Sequence, residues 1–175
     1  LTYNDLLVEG CAKAGILAFT GDGLNPAVME GATKAVAASH GAGVPTVKPW
    51  NKAEVFRKLD MIKASKPYAV AMDIDAAGLP FLKNQTPPAG SKTVEELKEI
   101  ADYAEVPFIL KGIMTVKGAE KAVKAGAKAI VVSNHGGRVL DQCPATAEVL
   151  PEIVDAVGKD VMVLVDGGIR SGTDV

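Results

Sequence analysis

Six short apolar runs recur along the chain, and a stretch of helical period separates most of them from the next. The runs, each of strand length and rich in Val, Ile, Ala or Phe, are Ile16–Thr20, Val44–Val47, Tyr68–Asp75, Pro107–Lys111, Ala129–Asn134 and Val161–Asp166. The amphipathic stretches are Ala27–Ser39, Lys52–Ala64, Val94–Tyr103, Val116–Ala125 and Thr146–Val157. Because the runs are apolar on both faces, they are typical of parallel strands covered by helices. The strict alternation predicts an α/β protein with a parallel sheet.

The residues at the strand ends indicate whether this sheet is open or closed. No GxGxxG follows the first run, although an open dinucleotide-binding sheet would carry one. Polar residues follow nearly every run: Thr20, Lys48, Asp73, Asp75, Lys111, Ser133, His135 and Asp166. Barrel enzymes place their chemistry at the carboxyl ends of their strands. We therefore predict a TIM (β/α)8 barrel, with about strands 2 to 7 present in this chain.

The bulk properties narrow the class of protein. The 175 residues carry a net charge of −2, which gives no reason to expect a nucleic acid or an anionic membrane as partner. The sequence contains no run of about 18 apolar residues, so no membrane span is predicted. Cys11 and Cys143 match no metal spacing and are interpreted as reduced thiols of a cytoplasmic protein. We expect a single domain over residues 1–175, truncated at both ends.

The segment 133–138, Ser-Asn-His-Gly-Gly-Arg, is the clearest candidate for chemistry. Residues two apart on a strand share a face, so Ser133 and His135 are predicted to point together into the barrel mouth. Arg138 follows closely, and its planar guanidinium suits a carboxylate. The alternative for His135 is a hydrogen-bonded structural histidine. Its place at a strand end, before two glycines and an arginine, favours a functional role.

Three further charged residues end otherwise apolar strands. Asp73 and Asp75 are predicted to lie on one face of their strand, where two poorly solvated carboxylates need a partner such as a histidine cation. The alternative is that one of them only caps the following turn. Lys111 ends a buried strand, where a lysine is rare unless it faces an anion.

The segment 165–172, Val-Asp-Gly-Gly-Ile-Arg-Ser-Gly, is a candidate phosphate site. Glycines after a strand free backbone N–H groups to form an anion-binding concavity, and Arg170 adds a positive charge. In barrels the loops after the last two strands commonly bind phosphate. The long connection 76–92, with three prolines, is predicted to be a loop that covers the active site.

Residues 107–175 resemble the FMN-dependent α-hydroxy acid oxidase and dehydrogenase family, of the glycolate oxidase, lactate oxidase and flavocytochrome b2 type. The resemblance lies in four segments, 109–112, 133–141, 144–146 and 166–175, and it is looser over residues 1–75. It implies an FMN-dependent enzyme that oxidises an L-2-hydroxy acid to a 2-keto acid. The implied partners are a small hydroxy acid, an electron acceptor such as oxygen, and further copies of the chain in a homo-oligomer.

The resemblance also implies a role for each matching residue. His135 resembles the base that takes a proton from the substrate, Asp75 its carboxylate partner, and Arg138 the group that binds the substrate carboxylate. Lys111 resembles the cation beside the N1–C2 carbonyl edge of the flavin. The remaining cofactor-binding residues implied are Ser133 and Asp73 at the ring, Asp166 near the ribityl chain, and Gly167, Gly168 and Arg170 at the phosphate. No metal site is expected.

The sequence departs from the family pattern at the substrate end. The family usually has a second arginine shortly after Asp75, but residues 76–82 contain none. Lys48 stands where a substrate-contacting tyrosine is usual, and Asp73 stands where a threonine is usual. We interpret Lys48 as the source of the missing positive charge. Two alternatives remain: another FMN barrel enzyme, such as a nucleotide dehydrogenase or isomerase, and a barrel fragment that binds flavin or phosphate without turnover.

Overall fold

Six parallel strands form one sheet in a computed structural model that describes residues 2–175, apart from the side chain of Lys83. The strands are β1 (Ala18–Thr20), β2 (Gly43–Val47), β3 (Val70–Asp73), β4 (Phe108–Ile113), β5 (Ala129–Val132) and β6 (Met162–Val165), and their order in the sheet follows the sequence. Within the described residues β1 and β6 are the two edges, so the sheet is an incomplete barrel wall.

Helices follow the predicted alternation. They are α1 (Tyr3–Lys13), α2 (Pro26–Ala38), α3 (Lys52–Ala64), α4 (Pro80–Lys83), α5 (Val94–Ala104), α6 (Val116–Lys124) and α7 (Thr146–Val157). The start of α5 is a capping box, in which Thr93 and Glu96 each bind the other's backbone N–H. Across the described chain, none of the helices is long and apolar enough to cross a membrane.

The sheet has two apolar faces, and alternation along the strands determines which residues each face carries. One cluster, which faces away from the helices, comprises Val44, Ala69, Ala71, Ile109, Ala129 and Val131. The opposite face packs on α3, α5, α6 and α7 through a larger cluster that includes Val47, Met72, Leu110 and Ile130. Side chains two residues apart share a face. Asp73, Lys111 and Ser133 therefore continue the inner face beyond Ala71, Ile109 and Val131.

Two predicted strands extend two residues too far at their carboxyl ends. β3 ends at Asp73, and Asp75 lies in a short 3-10 turn, Ile74–Gly78, so the prediction that both carboxylates share a strand face is wrong. β5 ends at Val132, and His135 lies in a second 3-10 turn, His135–Gly137. In both places the chain leaves the sheet before its last polar residue. These two residues are therefore placed by turn geometry.

The connection 76–92, predicted as a covering loop, is partly ordered. It contains the end of the first 3-10 turn, helix α4 and a β-bridge that joins Ala89 to Trp50. Leu79 and Leu82 are buried in the main core, and the Lys92 ammonium donates to the carbonyl oxygens of Pro49 and Gly90. The segment is therefore anchored to the loop after β2. Its predicted covering role stays a prediction.

Candidate active site

A row of alternating charges crosses the inner face at the carboxyl ends of the strands. Asp73 pairs in register with Lys111, and its two carboxylate oxygens contact two different ammonium groups. Asp73 Oδ1 lies 3.6 Å from Lys111 Nζ, and Asp73 Oδ2 lies 3.7 Å from Lys48 Nζ. Lys111 also lies 3.2 Å from an oxygen of Asp166. The structure thus brings together four of the predicted site residues, from β3, β4 and the segments after β2 and β6.

Ser133 joins this row to His135. Its hydroxyl oxygen accepts a hydrogen bond from the Lys111 ammonium at 3.0 Å and another from the His135 backbone N–H at 3.2 Å. Ser133 is fully buried, so the hydroxyl has little freedom to turn elsewhere. The predicted cofactor-facing lysine and the predicted base therefore share one anchoring oxygen.

His135 and Asp75 form a pair although neither lies on a strand. His135 Nδ1 lies 3.1 Å from each Asp75 carboxylate oxygen, and the imidazole side chain is only 6% exposed. An ionised carboxylate can only accept a hydrogen bond, so the proton of the neutral ring is held on Nδ1. Nε2 then keeps its lone pair, and we find no hydrogen bond to it among the described residues. This is the tautomer that a base acting through Nε2 requires.

The backbone of His135 is unusual for a residue with a side chain. Its φ of 58° lies in the left-handed region, which is uncommon for residues other than glycine. The two following glycines also have positive φ, so three successive residues share this conformation. Such strain concentrates at functional sites because the surrounding structure must hold it in place. The turn directs the imidazole back to Asp75.

Arg138 lies next to His135 at the exposed rim of the site. Its Nε donates to the His135 carbonyl oxygen at 3.0 Å, which fixes the start of the guanidinium relative to the imidazole. The residue is otherwise exposed. Among the described residues its terminal nitrogens make no hydrogen bond, so they remain available to a ligand beside His135.

In the glycine turn after β6, only some of the backbone N–H groups are free to bind an anion. Gly167 and Gly168 adopt φ values of 106° and 87°, and their N–H groups make no hydrogen bond that we find within the described chain. The N–H groups of Arg170 and Ser171 donate to the Asp174 carboxylate at 2.8 and 2.7 Å. These backbone hydrogen bonds, Arg170 first, lower the pKa of Asp174 below its ordinary value. The two glycines therefore offer the open donors.

Thr146, at the start of α7, holds this glycine turn in place. Its hydroxyl donates to the carbonyl oxygen of Asp166 at 2.7 Å, and the threonine is buried. A Cβ on Gly167 would lie 2.9 Å from that hydroxyl oxygen, so only glycine fits against it. The sequence contained Thr146 within a family motif but did not indicate this contact.

Replacing Thr146 by Val, which has a similar shape, should destabilise the chain by roughly 0.5–1.5 kcal/mol because the part-buried Asp166 carbonyl loses its donor. Urea unfolding followed by circular dichroism measures this change. Thr93→Val, at the exposed capping box of α5, compares the loss of a hydroxyl far from the site. An unchanged unfolding free energy for Thr146→Val would show that the hydrogen bond contributes nothing.

Asp22 forms a buried ion pair that sequence reasoning missed. Its side chain is fully buried, Oδ1 accepts from the Lys58 ammonium at 2.5 Å, and Oδ2 accepts from the Trp50 indole at 2.7 Å and the Lys48 N–H at 3.0 Å. Asp22 follows β1 by two residues, so the rule that polar residues after strands matter would have selected it. The carboxylate ties the backbone of Lys48 to the loop after β1.

Thr20, also polar and at a strand end, does not join the site. It is two residues from Ala18, which packs on α1 and α2 through Val8 and Val36, so alternation places both on the helix-covered face. Its buried hydroxyl has no hydrogen-bond partner among the described residues. A polar residue at a strand end therefore reaches the site only when the alternation along its strand places its side chain on the inner face.

Comparison with known proteins agrees with this architecture. Residues 75–175 match the FMN-dependent dehydrogenase family. A 2-hydroxyacid oxidase of Dictyostelium discoideum is 52% identical over 85 residues, which are 49% of this chain and 22% of that protein. A pre-mycofactocin synthase of Mycolicibacterium smegmatis is 50% identical over 90 residues, or 51% of this chain and 22% of that protein. The matched segments thus span about a fifth of these curated relatives.

Solved structures resemble the whole described fold. A lactate oxidase of Pediococcus acidilactici superposes with a TM-score of 0.81 at 29% identity, covering 98% of this chain and 54% of that one. A mandelate oxidase variant with an FMN adduct superposes with a TM-score of 0.79 at 31% identity, covering 98% and 54%. The chain therefore spans about half the length of these solved structures.

Fold and site together define the strand-end face of a parallel (β/α) barrel of the TIM type, as the sequence predicts. Because the family match extends over more than half of the chain, the identification is specific. The chain belongs to the FMN-dependent dehydrogenase family.

Proposed function

We propose that this chain carries the catalytic face of an FMN-dependent oxidoreductase that converts an L-2-hydroxy acid to its 2-keto acid. The observation that carries the proposal is the Ser133 hydroxyl, which anchors both the Lys111 ammonium and the backbone of His135, whose imidazole pairs with Asp75. A base and a cation at one rim suit a reaction that removes a proton and delivers negative charge to a nearby acceptor.

The donor set of the site fits an FMN. The N–H groups of Gly167 and Gly168, with Arg170 nearby, suit a phosphate, and Lys111 on the inner face supplies a cation for an electron-rich ring. We propose that Asp73 and Ser133 border the ring and that Asp166 lies near the sugar chain. When bound, the flavin supplies the two-electron redox step.

The protein's own residues would divide the remaining work. His135 takes the substrate proton on Nε2, and Asp75 stabilises the imidazolium that results. Arg138 binds the substrate carboxylate with its free guanidinium nitrogens, and its bond to the His135 carbonyl sets the distance between carboxylate and base. Lys111 stabilises the negative charge that develops when the substrate is oxidised.

Lys48 is proposed as a second cation for the substrate. Its side chain is mostly buried, yet its ammonium makes only a long 3.7 Å contact with Asp73 and no hydrogen bond that we find within the described chain. An ammonium held near the site but weakly engaged is suited to a ligand carboxylate. The Asp22 carboxylate fixes the Lys48 backbone, so the group arrives at a defined position.

Replacing Lys48 by Met should raise the KM for a 2-hydroxy acid roughly 10- to 100-fold, since a hydrogen bond to a charged group contributes about 1.5–3 kcal/mol. Lys48→Arg, which retains the charge, is the matched control and should keep most of the affinity. Steady-state kinetics with each variant measure the effect. An unchanged KM in Lys48→Met would remove Lys48 from the substrate site.

Substrate turnover separates this proposal from its two alternatives. Protein supplied with FMN is assayed for keto acid formation from lactate, glycolate and mandelate, and in parallel for oxidation of a dihydropyrimidine. Turnover of a hydroxy acid supports the proposal, and turnover of the dihydropyrimidine alone favours another kind of FMN barrel enzyme. Protein that turns over neither substrate, whether or not it stays yellow after free FMN is removed, favours a non-catalytic fragment. The similarity to a pre-mycofactocin synthase makes this screen necessary, because that relative is not named a hydroxy acid oxidase.

Two broader features are also proposed, a cytoplasmic location and a homo-oligomeric assembly. Cys11 and Cys143 are both free thiols, in keeping with the proposed cytoplasmic location. Family resemblance suggests a homo-oligomer with oxygen or another small molecule as electron acceptor. Sedimentation velocity of the purified protein tests whether the chain forms a homo-oligomer.

A further inference from the structure

β4 contains a bulge immediately after the catalytic lysine. Lys111 pairs with Val131 and Ile113 pairs with the next residue, Val132, so Gly112 is the extra residue on its strand. Its φ of 97° lies in the region that favours glycine. Bulges next to active sites re-aim neighbouring side chains. The bulge is therefore a candidate device for placing the residues around it.

The space beside Gly112 is filled by the side chain of Asp75. A Cβ built on Gly112 would lie 2.5 Å from Asp75 Oδ1 and 2.6 Å from Asp75 Cβ. Both separations are shorter than any real carbon contact, so an alanine at 112 and the observed Asp75 position exclude each other. The same Asp75 oxygen lies 3.1 Å from His135 Nδ1. Because Gly112 has no side chain, it leaves the space through which the Asp75 carboxylate reaches the His135 imidazole.

We propose that Gly112 is a positioning residue for the His135–Asp75 pair, and that its lack of a side chain sets the tautomer of His135. The inference rests on the proposed role of His135 as base. The chain of contacts is direct. The bulge leaves a gap at Gly112, the Asp75 carboxylate occupies the gap, and the carboxylate holds the imidazole proton on Nδ1.

The chain has only two histidines, which makes the tautomer measurable without flavin or substrate. The whole chain is labelled with ¹⁵N-histidine, and the two ring nitrogens of each imidazole are resolved by two-dimensional NMR at a pH where both rings are neutral. We expect the proton of His135 on Nδ1 in the wild type, and a shift to the Nε2–H form in Gly112→Ala. His40, in a helix-end turn, serves as the internal reference.

Gly126→Ala is the matched control. Gly126 also has a positive φ, 84°, but a Cβ there would meet no atom within 4 Å. It therefore imposes the same backbone strain without touching Asp75. We expect Gly126→Ala to leave the His135 tautomer unchanged. If Gly112→Ala leaves the Nδ1–H signal in place, or if Gly126→Ala moves it equally, the proposal is overturned.

If Gly112→Ala folds too poorly for NMR, the melting temperatures of single and double variants test the proposal instead. In the wild-type background, Gly112→Ala should lower the melting temperature about twice as far as Gly126→Ala, because it adds a clash to the strain. In an Asp75→Gly background the two alanine variants should cost the same, since the clashing atoms are gone. An excess cost that survives Asp75→Gly would contradict the inference. Neither experiment involves flavin, so failure here leaves the proposed oxidation standing, and absence of turnover leaves this result standing.

Discussion

Replacing His135 by Asn should slow flavin reduction by a 2-hydroxy acid roughly 10²- to 10⁴-fold, the range typical of a lost general base. Asn is the suitable replacement because it tolerates the left-handed backbone, at φ 58°, better than most residues. FMN affinity should change little, since the resemblance assigns the cofactor to Lys111 and the glycine turn. Stopped-flow absorbance under anaerobic conditions measures the reduction rate directly.

His40→Asn is the control for this experiment, because His40 also has a positive φ but lies at a helix end away from the site. It should reduce flavin at the wild-type rate. A His135→Asn variant that kept the wild-type rate while binding FMN would show that another group takes the proton. The Asp75 pairing would then be structural.

Replacing Asp22 by Ala should destabilise the protein by about 3–5 kcal/mol, the largest stability effect expected in this chain. The variant leaves the ammonium of Lys58 buried, with Glu54 at 3.7 Å as its remaining acidic neighbour. It also removes the acceptor for the Trp50 indole and the Lys48 N–H. Chemical denaturation, monitored by circular dichroism and by fluorescence of the single tryptophan, measures the loss.

Two further variants show whether the buried charge causes that loss. Lys58→Met should cost less than Asp22→Ala, because the Asp22 carboxylate keeps three N–H donors, including that of Gly23. Glu99→Gln, which breaks the exposed pair with Lys52, should cost under about 1 kcal/mol. Equal costs for Asp22→Ala and Glu99→Gln would show that the buried pair has no special weight.

The barrel architecture could be predicted because it depends on patterns that are local in sequence. Apolar runs and amphipathic stretches recur at regular spacing, and the six strands and the five predicted helices lie where those patterns place them. The capping box at Thr93 is local in the same way, because its two partners are three residues apart. The boundaries differ by one or two residues: β3 and β5 end two residues before their predicted ends, β1 begins two residues after its predicted start, and β4 extends two residues beyond its predicted end.

The inner-face charges could be predicted through strand parity. Asp73 and Lys111 continue strands whose inner residues are apolar, so period-two alternation places them at one rim. The contacts made by turns could not be predicted in this way. Asp75 and His135 lie beyond the ends of their strands, and 60 residues separate them. Their meeting was inferred from the family resemblance and from chemistry.

The contacts that sequence reasoning missed depend on three-dimensional packing. Asp22 and Lys58 lie 36 residues apart on a loop and a helix, and nothing local marks them as partners. Gly112 was visible only as a residue after a strand-end lysine. The sequence shows neither its bulge nor the Asp75 carboxylate that fills its missing side chain.

The visible spectrum of the FMN-loaded protein under anaerobic conditions is the most direct test of the proposed chemistry. On addition of an L-2-hydroxy acid, the flavin absorption band should bleach, with one keto acid formed for each flavin reduced. If the protein binds FMN but its flavin band keeps its intensity with every hydroxy acid supplied, the result would contradict the assignment of His135, Arg138 and Lys111 to one oxidising site.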